Sequence, residues 1–122
     1  MASLRILVVD DNALARAMLK EMLESRGHTV VAEAGDPAGA VKAFTSSKPD
    51  LVTLDLSLTD GEGSTVLDSI RKIDPKAKVI VISGNAQKKL VQQLLAAGAS
   101  GFIEKPFQGE DLSREISRLV PS

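Results

Sequence analysis

The chain alternates two kinds of segment, and this alternation constrains its fold more than any other feature. Five short runs rich in Val, Ile and Leu predict strands over Leu4–Val9, Thr29–Ala32, Leu51–Leu54, Val79–Ile82 and Gly101–Ile103. These runs have little polar alternation, which is typical of strands buried on both faces of a parallel sheet. Each run is followed by a longer segment with helical spacing. The pattern predicts an α/β fold, a doubly wound five-stranded parallel sheet with helices on both faces.

The helices are predicted over Ala13–Ser25, Pro37–Thr45, Ser64–Ile73, Lys89–Ala97 and Leu112–Val120. In the first of them, apolar residues recur at Leu14, Met18, Met22 and Leu23, which predicts its core-facing side. In the fourth, Val91, Leu94 and Leu95 are predicted to face the core. Asp36-Pro37 predicts a helix N-cap and first turn, and Gly27 a C-terminal cap. His28, at the following junction, is predicted to be a surface or capping residue rather than a ligand or base.

Composition excludes several functional classes. With 122 residues, one domain over 1–122 is expected, its core at about 4–120. The net charge of −1, from 15 basic and 16 acidic residues, argues against direct nucleic-acid binding or a polybasic membrane anchor. The absence of cysteine excludes thiolate sites. No apolar segment is long enough for membrane insertion, so a cytoplasmic protein is expected.

Polar residues stand where the predicted strands end. Asp10 and Asp11 follow the first strand, Asp55 the third, Ser83 the fourth, and Lys105 comes after the fifth. In open parallel sheets, ligands bind outside the carboxyl ends of the strands, so these side chains are expected to converge. Clustered carboxylates repel one another unless a cation is bound. Mg²⁺ prefers such oxygen ligands, and Mn²⁺ can substitute for it.

The remaining polar residues complete a site suited to a phosphoryl group. Lys105 supplies a positive charge, and the Ser83 hydroxyl can donate a hydrogen bond to a phosphoryl oxygen. Phosphoryl transfer requires mainly positioning and charge neutralisation, together with an in-line nucleophile. A carboxylate can serve as that nucleophile, which makes Asp55 the candidate.

Together these motifs resemble a known family. The segments VVDD, LDLSL, VISGN and EKPF resemble, in order and spacing, the receiver domain of two-component response regulators, the family of the single-domain chemotaxis regulator. The likeness covers Leu4 to Val120. It implies the flavodoxin-like strand order 2-1-3-4-5. It also implies a signalling switch, rather than a metabolic enzyme, that catalyses only its own phosphorylation and dephosphorylation.

The resemblance assigns a role to each matching residue. Asp55 would be the phosphoacceptor; Asp10 and Asp11 would bind Mg²⁺ with Asp55 and the Ser57 backbone carbonyl. Ser83 and Lys105 would contact the phosphoryl group. Two further expectations are a cis peptide bond between Lys105 and Pro106 and a switch role for Phe102, which moves inward with Ser83 on activation.

The chain also departs from the family pattern. Leu58-Thr59 replaces the common Met-Pro pair, and the switch aromatic is Phe102 rather than Tyr, so it lacks a hydroxyl. Both departures bear on output coupling rather than on phosphorylation. In the family that the chain resembles, the residues two positions after the phosphoacceptor and two after the serine tune the lifetime of the acyl phosphate. Here they are Ser57 and Asn85, both small and polar, so the resemblance implies an acyl phosphate that is not unusually long-lived.

Less specific interpretations stand beside these roles. Asp10 and Asp11 could be a charge pair favoured by a helix dipole, and Asp55 a strand-end turn residue. Ser83 could belong to a turn, Lys105 could be a solvated lysine, and Phe102 plain core. At the level of the whole chain, the rivals are a flavodoxin-like cofactor binder and a receiver-shaped module that is never phosphorylated. Scarce aromatics and an acidic first loop disfavour the former.

The expected function is therefore that of a two-component receiver. A histidine kinase or phosphotransfer domain would donate a phosphoryl group to Asp55 with Mg²⁺ present. An output protein would bind the face formed by the fourth helix, fifth strand and fifth helix. A stand-alone chemotaxis-type regulator is expected; the alternative is a receiver from a longer regulator, such as a transcription factor or hybrid kinase.

Overall fold

A computed structural model describes residues 3–56, 63–84 and 88–120, and within these ranges strand and helix alternate five times. The strands are β1 (Arg5–Val9), β2 (Thr29–Ala34), β3 (Leu51–Asp55), β4 (Val79–Ser83) and β5 (Gly101–Glu104). The helices are α1 (Ala13–Glu24), α2 (Pro37–Ser47), α3 (Gly63–Ile73), α4 (Lys88–Ala96) and α5 (Gly109–Leu119). All strand pairs are parallel, in the order β2-β1-β3-β4-β5. This confirms the predicted doubly wound α/β fold.

The sheet separates two hydrophobic layers. Val52, Leu54 and Val81 point to one face, where they pack with buried residues of α2, α3 and α4. Val8 and Ile80 point to the other face and pack with buried residues of α1 and α5. Because successive side chains of a strand alternate between faces, a sheet covered on both sides needs apolar residues at nearly every position. The continuous Val and Ile runs have this physical cause.

Local signals set both ends of α1 and the start of α2. The Asp36 side chain accepts a hydrogen bond from Gly39 N–H, with Pro37 opening α2 as predicted. The Asn12 side chain caps α1 in the same way, by accepting from Ala15 N–H. Gly27 follows α1 with φ of 90°, a conformation that favours glycine.

The start of α5 lies three residues earlier than hydrophobic periodicity predicts. The helix begins at Gly109 rather than Leu112, because Gln108 and Asp111 form a capping box around its first turn. That turn carries no apolar residue, so periodicity does not detect it. The buried face of α5 consists of Leu112 and Ile116.

The predicted core face of α1 is partly wrong. Leu14 and Met18 are 70% and 51% exposed, whereas Leu19 and Leu23 are buried against the sheet. Both pairs have four-residue spacing, so two apolar stripes run along the helix and periodicity does not choose between them. In α4, Leu94 is buried but Leu95 is 47% exposed, which corrects that prediction too.

His28 also differs from its predicted placement. It is buried rather than on the surface, and its Nδ1 accepts a hydrogen bond from Leu4 N–H at 3.2 Å. Burial lowers the pKa of His28 below its usual value, in keeping with a neutral ring. Its contact at the amino-terminal end of β1 is structural. Among the described helices, none has the length and apolarity that crossing a bilayer requires.

Candidate phosphoryl-acceptor site

Strand register brings the predicted site residues to one edge of the sheet. Val9 pairs with Leu54, so Asp10 and Asp55 are the next residues on two adjacent parallel strands. The hydrogen bonding between β1 and β2 extends one residue past the end of β1, because Asp10 N–H donates to Ala34 O at 3.0 Å. Asp55 ends β3, in the middle of the sheet, and is 2% exposed. The two carboxyl groups therefore lie side by side at the carboxyl ends of the strands.

Lys105 closes the site from the β5 side. Its ammonium group donates a hydrogen bond to Asp55 Oδ2 and forms an ion pair with it. Its backbone N–H donates to Ser83 O at 2.9 Å, which fixes where the side chain leaves the sheet. The Lys105 side chain is 36% exposed whereas that of Asp55 is 2% exposed. The lysine thus reaches from the surface to a buried carboxylate, and it is no freely solvated side chain.

Asp10 is a buried carboxyl group with a perturbed pKa. Burial is the largest cause and raises the pKa of Asp10 to about 6, while the hydrogen bond from Asn12 N–H lowers it. The neighbouring Asp55 carboxylate raises the pKa further, and Lys105 lowers it. Burial and like-charge repulsion together outweigh the lysine. Two carboxyl groups in such an arrangement carry more negative charge than one ammonium group neutralises.

The other predicted site residues are Ser83, Asp11 and Phe102, and they differ from one another in burial. Ser83 ends β4 and is buried, with Glu104 as its register partner on β5. Asp11 is exposed beside Asp10. Phe102 is half-buried and packs against the α2–α4 layer, so the structure shows a core contact. The peptide bond between Lys105 and Pro106 is cis.

Some predictions concern segments outside the described residues. These are the Ser57 carbonyl ligand, the Leu58-Thr59 pair and the contribution of Asn85 to phosphoryl lifetime. Within 3–56, 63–84 and 88–120, no three His, Cys, Asp or Glu residues cluster as a metal-binding group. The donor set nonetheless fits a hard divalent cation, because Asp10 and Asp55 offer buried carboxylate oxygens with unbalanced charge.

Arg16 is a neighbour of the site that the sequence pattern does not reveal. Its Nη1 donates to the Asp10 carbonyl oxygen at 2.5 Å, and its Nε lies 3.4 Å from Glu33 Oε1. A single arginine on a helix carries no sequence signal for such a contact, which depends on the packing of α1 beside two strand ends.

A cavity of about 520 Å³ opens between α1 and the segment after β5. Asp10 and Lys105 line its polar end, and Met18, Met22 and Phe107 are among its apolar lining residues. Of the two exposed apolar residues of α1, Leu14 and Met18, only Met18 lines this cavity.

The fold and this site define a class of signalling protein, and comparison with known proteins agrees. The family model for the response regulator receiver domain matches residues 6–117. The chain therefore belongs to the response regulator receiver domain family, which acts in two-component signalling.

Individual relatives resemble nearly the whole chain. It is 41% identical to the chemotaxis protein CheY of Bacillus subtilis (strain 168), over 95% of this chain and 97% of that protein. Identity to the chemotaxis protein CheY of Thermotoga maritima is 42%, over 94% and 96%. In a solved CheX-CheY-BeF3-Mg+2 complex from Borrelia burgdorferi, a 29% identical chain aligns with a TM-score of 0.93, over 97% of this chain and 90% of that one.

Proposed function

We propose that this chain is a phosphorylation switch in which Asp55 accepts a phosphoryl group from a phosphohistidine of a histidine kinase or phosphotransfer domain. The observation that carries the proposal is the buried Asp55 carboxylate, paired with Lys105 and adjacent to Asp10 at the carboxyl edge of the sheet. The BeF3 and Mg complex of the Borrelia burgdorferi relative supports the same chemistry.

The chemistry asks little of the protein beyond position and charge. A carboxylate oxygen of Asp55 attacks phosphorus, a P–O bond forms, the P–N bond to histidine breaks, and the imidazole leaves with its bonding electron pair and takes up a proton. Lys105 offers a positive charge to the phosphoryl oxygens, and Ser83 a hydroxyl donor. Hydrolysis of the acyl phosphate returns the Asp55 carboxylate.

Asp10, Asp11 and Asp55 are the residues that would hold Mg²⁺, with the Ser57 carbonyl proposed as a further ligand. When bound, the ion offsets the negative charge of the acidic residues and of the incoming phosphoryl group. Mn²⁺ is expected to substitute, because its preference for oxygen ligands is similar.

The surface around the site suggests how partners engage. A phosphodonor must reach Asp55 from the carboxyl edge, where Leu14 and Met18 expose an apolar stripe next to the cavity. Readout is proposed at the face of α4, β5 and α5, where Ser83 and Phe102 move inward on phosphorylation. The new state is a shift in population towards conformations that contact the phosphoryl group better.

Intact-mass spectrometry after incubation with acetyl phosphate and Mg²⁺ tests the proposal. The wild type should gain the mass of one phosphoryl group, whereas Asp55→Asn, or the wild type with excess EDTA, should not. No added mass on the wild type would reject the proposal in favour of a receiver-shaped module that is never phosphorylated. Decay of that mass over time also tests the proposed lifetime, which a half-life of many hours would contradict.

A stand-alone, chemotaxis-type regulator is the proposed biological form, supported by the CheY relatives that match over almost their full length. A second candidate, the receiver of a longer regulator, is favoured by a different relative. The transcriptional regulatory protein PdtaR of Mycobacterium tuberculosis is 37% identical over 95% of this chain but only 56% of its own length. The apparent mass of the endogenous protein on an immunoblot of its host distinguishes the two.

A further inference from the structure

We infer that Arg16 is a positioning residue for the metal-binding aspartates, and that Gly35 is the small residue that makes room for it. The guanidinium group holds the backbone of Asp10, and Glu33 balances its charge. This inference rests on the Mg²⁺ site proposed above and adds residues that the site itself does not contain.

The contacts of Arg16 join three elements beside the site. From α1, its Nη1 donates to the carbonyl oxygen of Asp10, just after β1, at 2.5 Å. Its Nε lies 3.4 Å from Glu33 Oε1 near the end of β2. The Arg16 side chain is 23% exposed and that of Glu33 38%, so this pair is partly shielded from water. One planar group thus connects both strand ends to the helix.

Gly35 provides the space that this arrangement needs. A Cβ at position 35 would lie 3.0 Å from Arg16 Nη1 and 3.8 Å from the Asp10 carbonyl oxygen. Gly35 does not have a positive φ, so its conformation does not demand glycine. The constraint is steric: any side chain at position 35 presses on the guanidinium group where it meets Asp10. A substitution there should therefore shift the guanidinium group by a few tenths of an ångström while leaving its charge in place.

The contact with Arg16 matters because it fixes the backbone of Asp10 at its carbonyl oxygen. Its N–H donates to Ala34 O, its Oδ1 accepts from Asn12 N–H at 2.9 Å, and its carbonyl accepts from Arg16. Asp10 is 2% exposed, so the removal of Arg16 takes a hydrogen bond from a buried carbonyl, and a water in its place would not be tied to α1 and Glu33 as the guanidinium group is. The turn that carries Asp10 and Asp11 would then be held less rigidly.

Looser carboxylates bind metal more weakly, because they must be ordered when the metal binds. Outer residues that orient metal ligands are commonly worth about 10- to 100-fold in metal affinity. The charge of Arg16 acts in the opposite direction, since a cation beside the site disfavours Mg²⁺. Glu33 offsets that charge. Glu33→Gln, which keeps the arginine but removes its counter-charge, should therefore weaken Mg²⁺ binding too, with an effect that diminishes as salt is added.

Isothermal titration of metal-free protein with MgCl₂ tests the role without a phosphodonor. We expect Arg16→Met to weaken Mg²⁺ binding roughly 10-fold, and Gly35→Ala to weaken it less, in the same direction. Arg16→Lys should recover only part of the loss, because an ammonium group cannot reach both partners with the arginine's geometry. Lys20→Met, an exposed charge change on the same helix, is the matched control and should bind like the wild type.

A double-mutant cycle separates positioning from a general effect of charge. In the Arg16→Met background, Gly35→Ala should cause no further loss, because the group it displaces is gone. With acetyl phosphate, the Mg²⁺ concentration for half-maximal rate should rise in Arg16→Met while the rate at saturating Mg²⁺ stays close to wild type.

Wild-type Mg²⁺ affinity in Arg16→Met, or equal losses from Gly35→Ala in both backgrounds, would overturn the inference. A wild type that binds no Mg²⁺ would overturn the proposed function, and this role with it.

Discussion

The Lys105 ammonium group donates to the buried Asp55 carboxylate, and this contact links the ends of β5 and β3. The two side chains differ in exposure: that of Lys105 reaches solvent, whereas that of Asp55 is buried. The ion pair therefore places the positive charge of Lys105 where it can contact a group bound to Asp55. Asp10 approaches the same carboxylate from β1, so Asp55 lies between a cation and an acid.

Removal of the lysine charge should slow phosphorylation. We expect Lys105→Met to lower the rate of modification by acetyl phosphate roughly 10- to 100-fold, since a hydrogen bond to a charged group contributes about 1.5–3 kcal/mol. Lys72→Met, which loses an exposed ion pair with Asp68, is the control and should react like the wild type. Intact mass against time measures both. Equal rates for Lys105→Met and wild type would show that the charge plays no part.

Asp10 should destabilise the metal-free protein at neutral pH. Its folded pKa of about 6 is above the ordinary 3.8, so the folded state holds the proton more tightly, and stability is lost as pH rises from 3.8 through 6. Asp10→Asn should therefore raise the free energy of unfolding at pH 7 by roughly 1–2 kcal/mol. Urea unfolding in EDTA measures this change, with the exposed Asp68→Asn as control. A variant less stable than the wild type would contradict the prediction.

His28 should give a pH dependence of the opposite sign. Burial lowers its folded pKa below 6.5, so the unfolded chain binds the proton first and stability falls as pH drops below about 6.5. The effect is clearest in the Asp10→Asn background, where the opposing carboxyl titration is absent. There, His28→Leu should flatten the pH dependence of the unfolding free energy below about pH 6.5. The variant should also lose about 1 kcal/mol of stability, because Leu4 N–H loses its acceptor. An unchanged slope would mean that another group titrates.

Thr53 is a buried polar residue whose removal should stabilise the protein. Its side chain is 0% exposed, and its Oγ1 has no hydrogen-bond partner among the described residues. We expect Thr53→Val to raise the free energy of unfolding by roughly 1–2 kcal/mol, because it removes an unpaired hydroxyl at nearly constant shape. Thr45→Val is the contrast, since Thr45 Oγ1 donates to Val41 O at the surface. A loss of stability in Thr53→Val would point to a partner for this hydroxyl in the remaining segments.

The sequence predicts the sheet better than the helix surfaces. A strand that is buried on both faces requires a continuous apolar run, as in Val79–Ser83, and few other structures require one. The carboxyl ends of such strands lie at a common edge, which is why strand order and motif spacing alone predict that Asp55 and Lys105 meet. The α1 face cannot be chosen in this way, because Leu14 and Leu19 belong to competing apolar stripes.

The residue placements that the sequence does not predict depend on packing between segments that are distant in the chain. His28 is buried where its ring accepts a hydrogen bond from the backbone of Leu4, 24 positions away. A single histidine in a sequence does not indicate such a partner. Arg16 reaches Asp10 only because α1 packs beside Gly35. In each case the local residue type is compatible with a solvated surface, and the tertiary contact decides its role.

The measurement that addresses the role of Asp55 most directly is chemical localisation of the phosphoryl group. After phosphorylation with acetyl phosphate and Mg²⁺, borohydride converts an aspartyl phosphate to homoserine, and peptide mass spectrometry then identifies the modified position. We predict homoserine at position 55 in the wild type and at no position in Asp55→Asn. Homoserine at Asp10, Asp11 or any other acidic residue of the wild type, with Asp55 unmodified, would contradict the assignment of Asp55 as the acceptor.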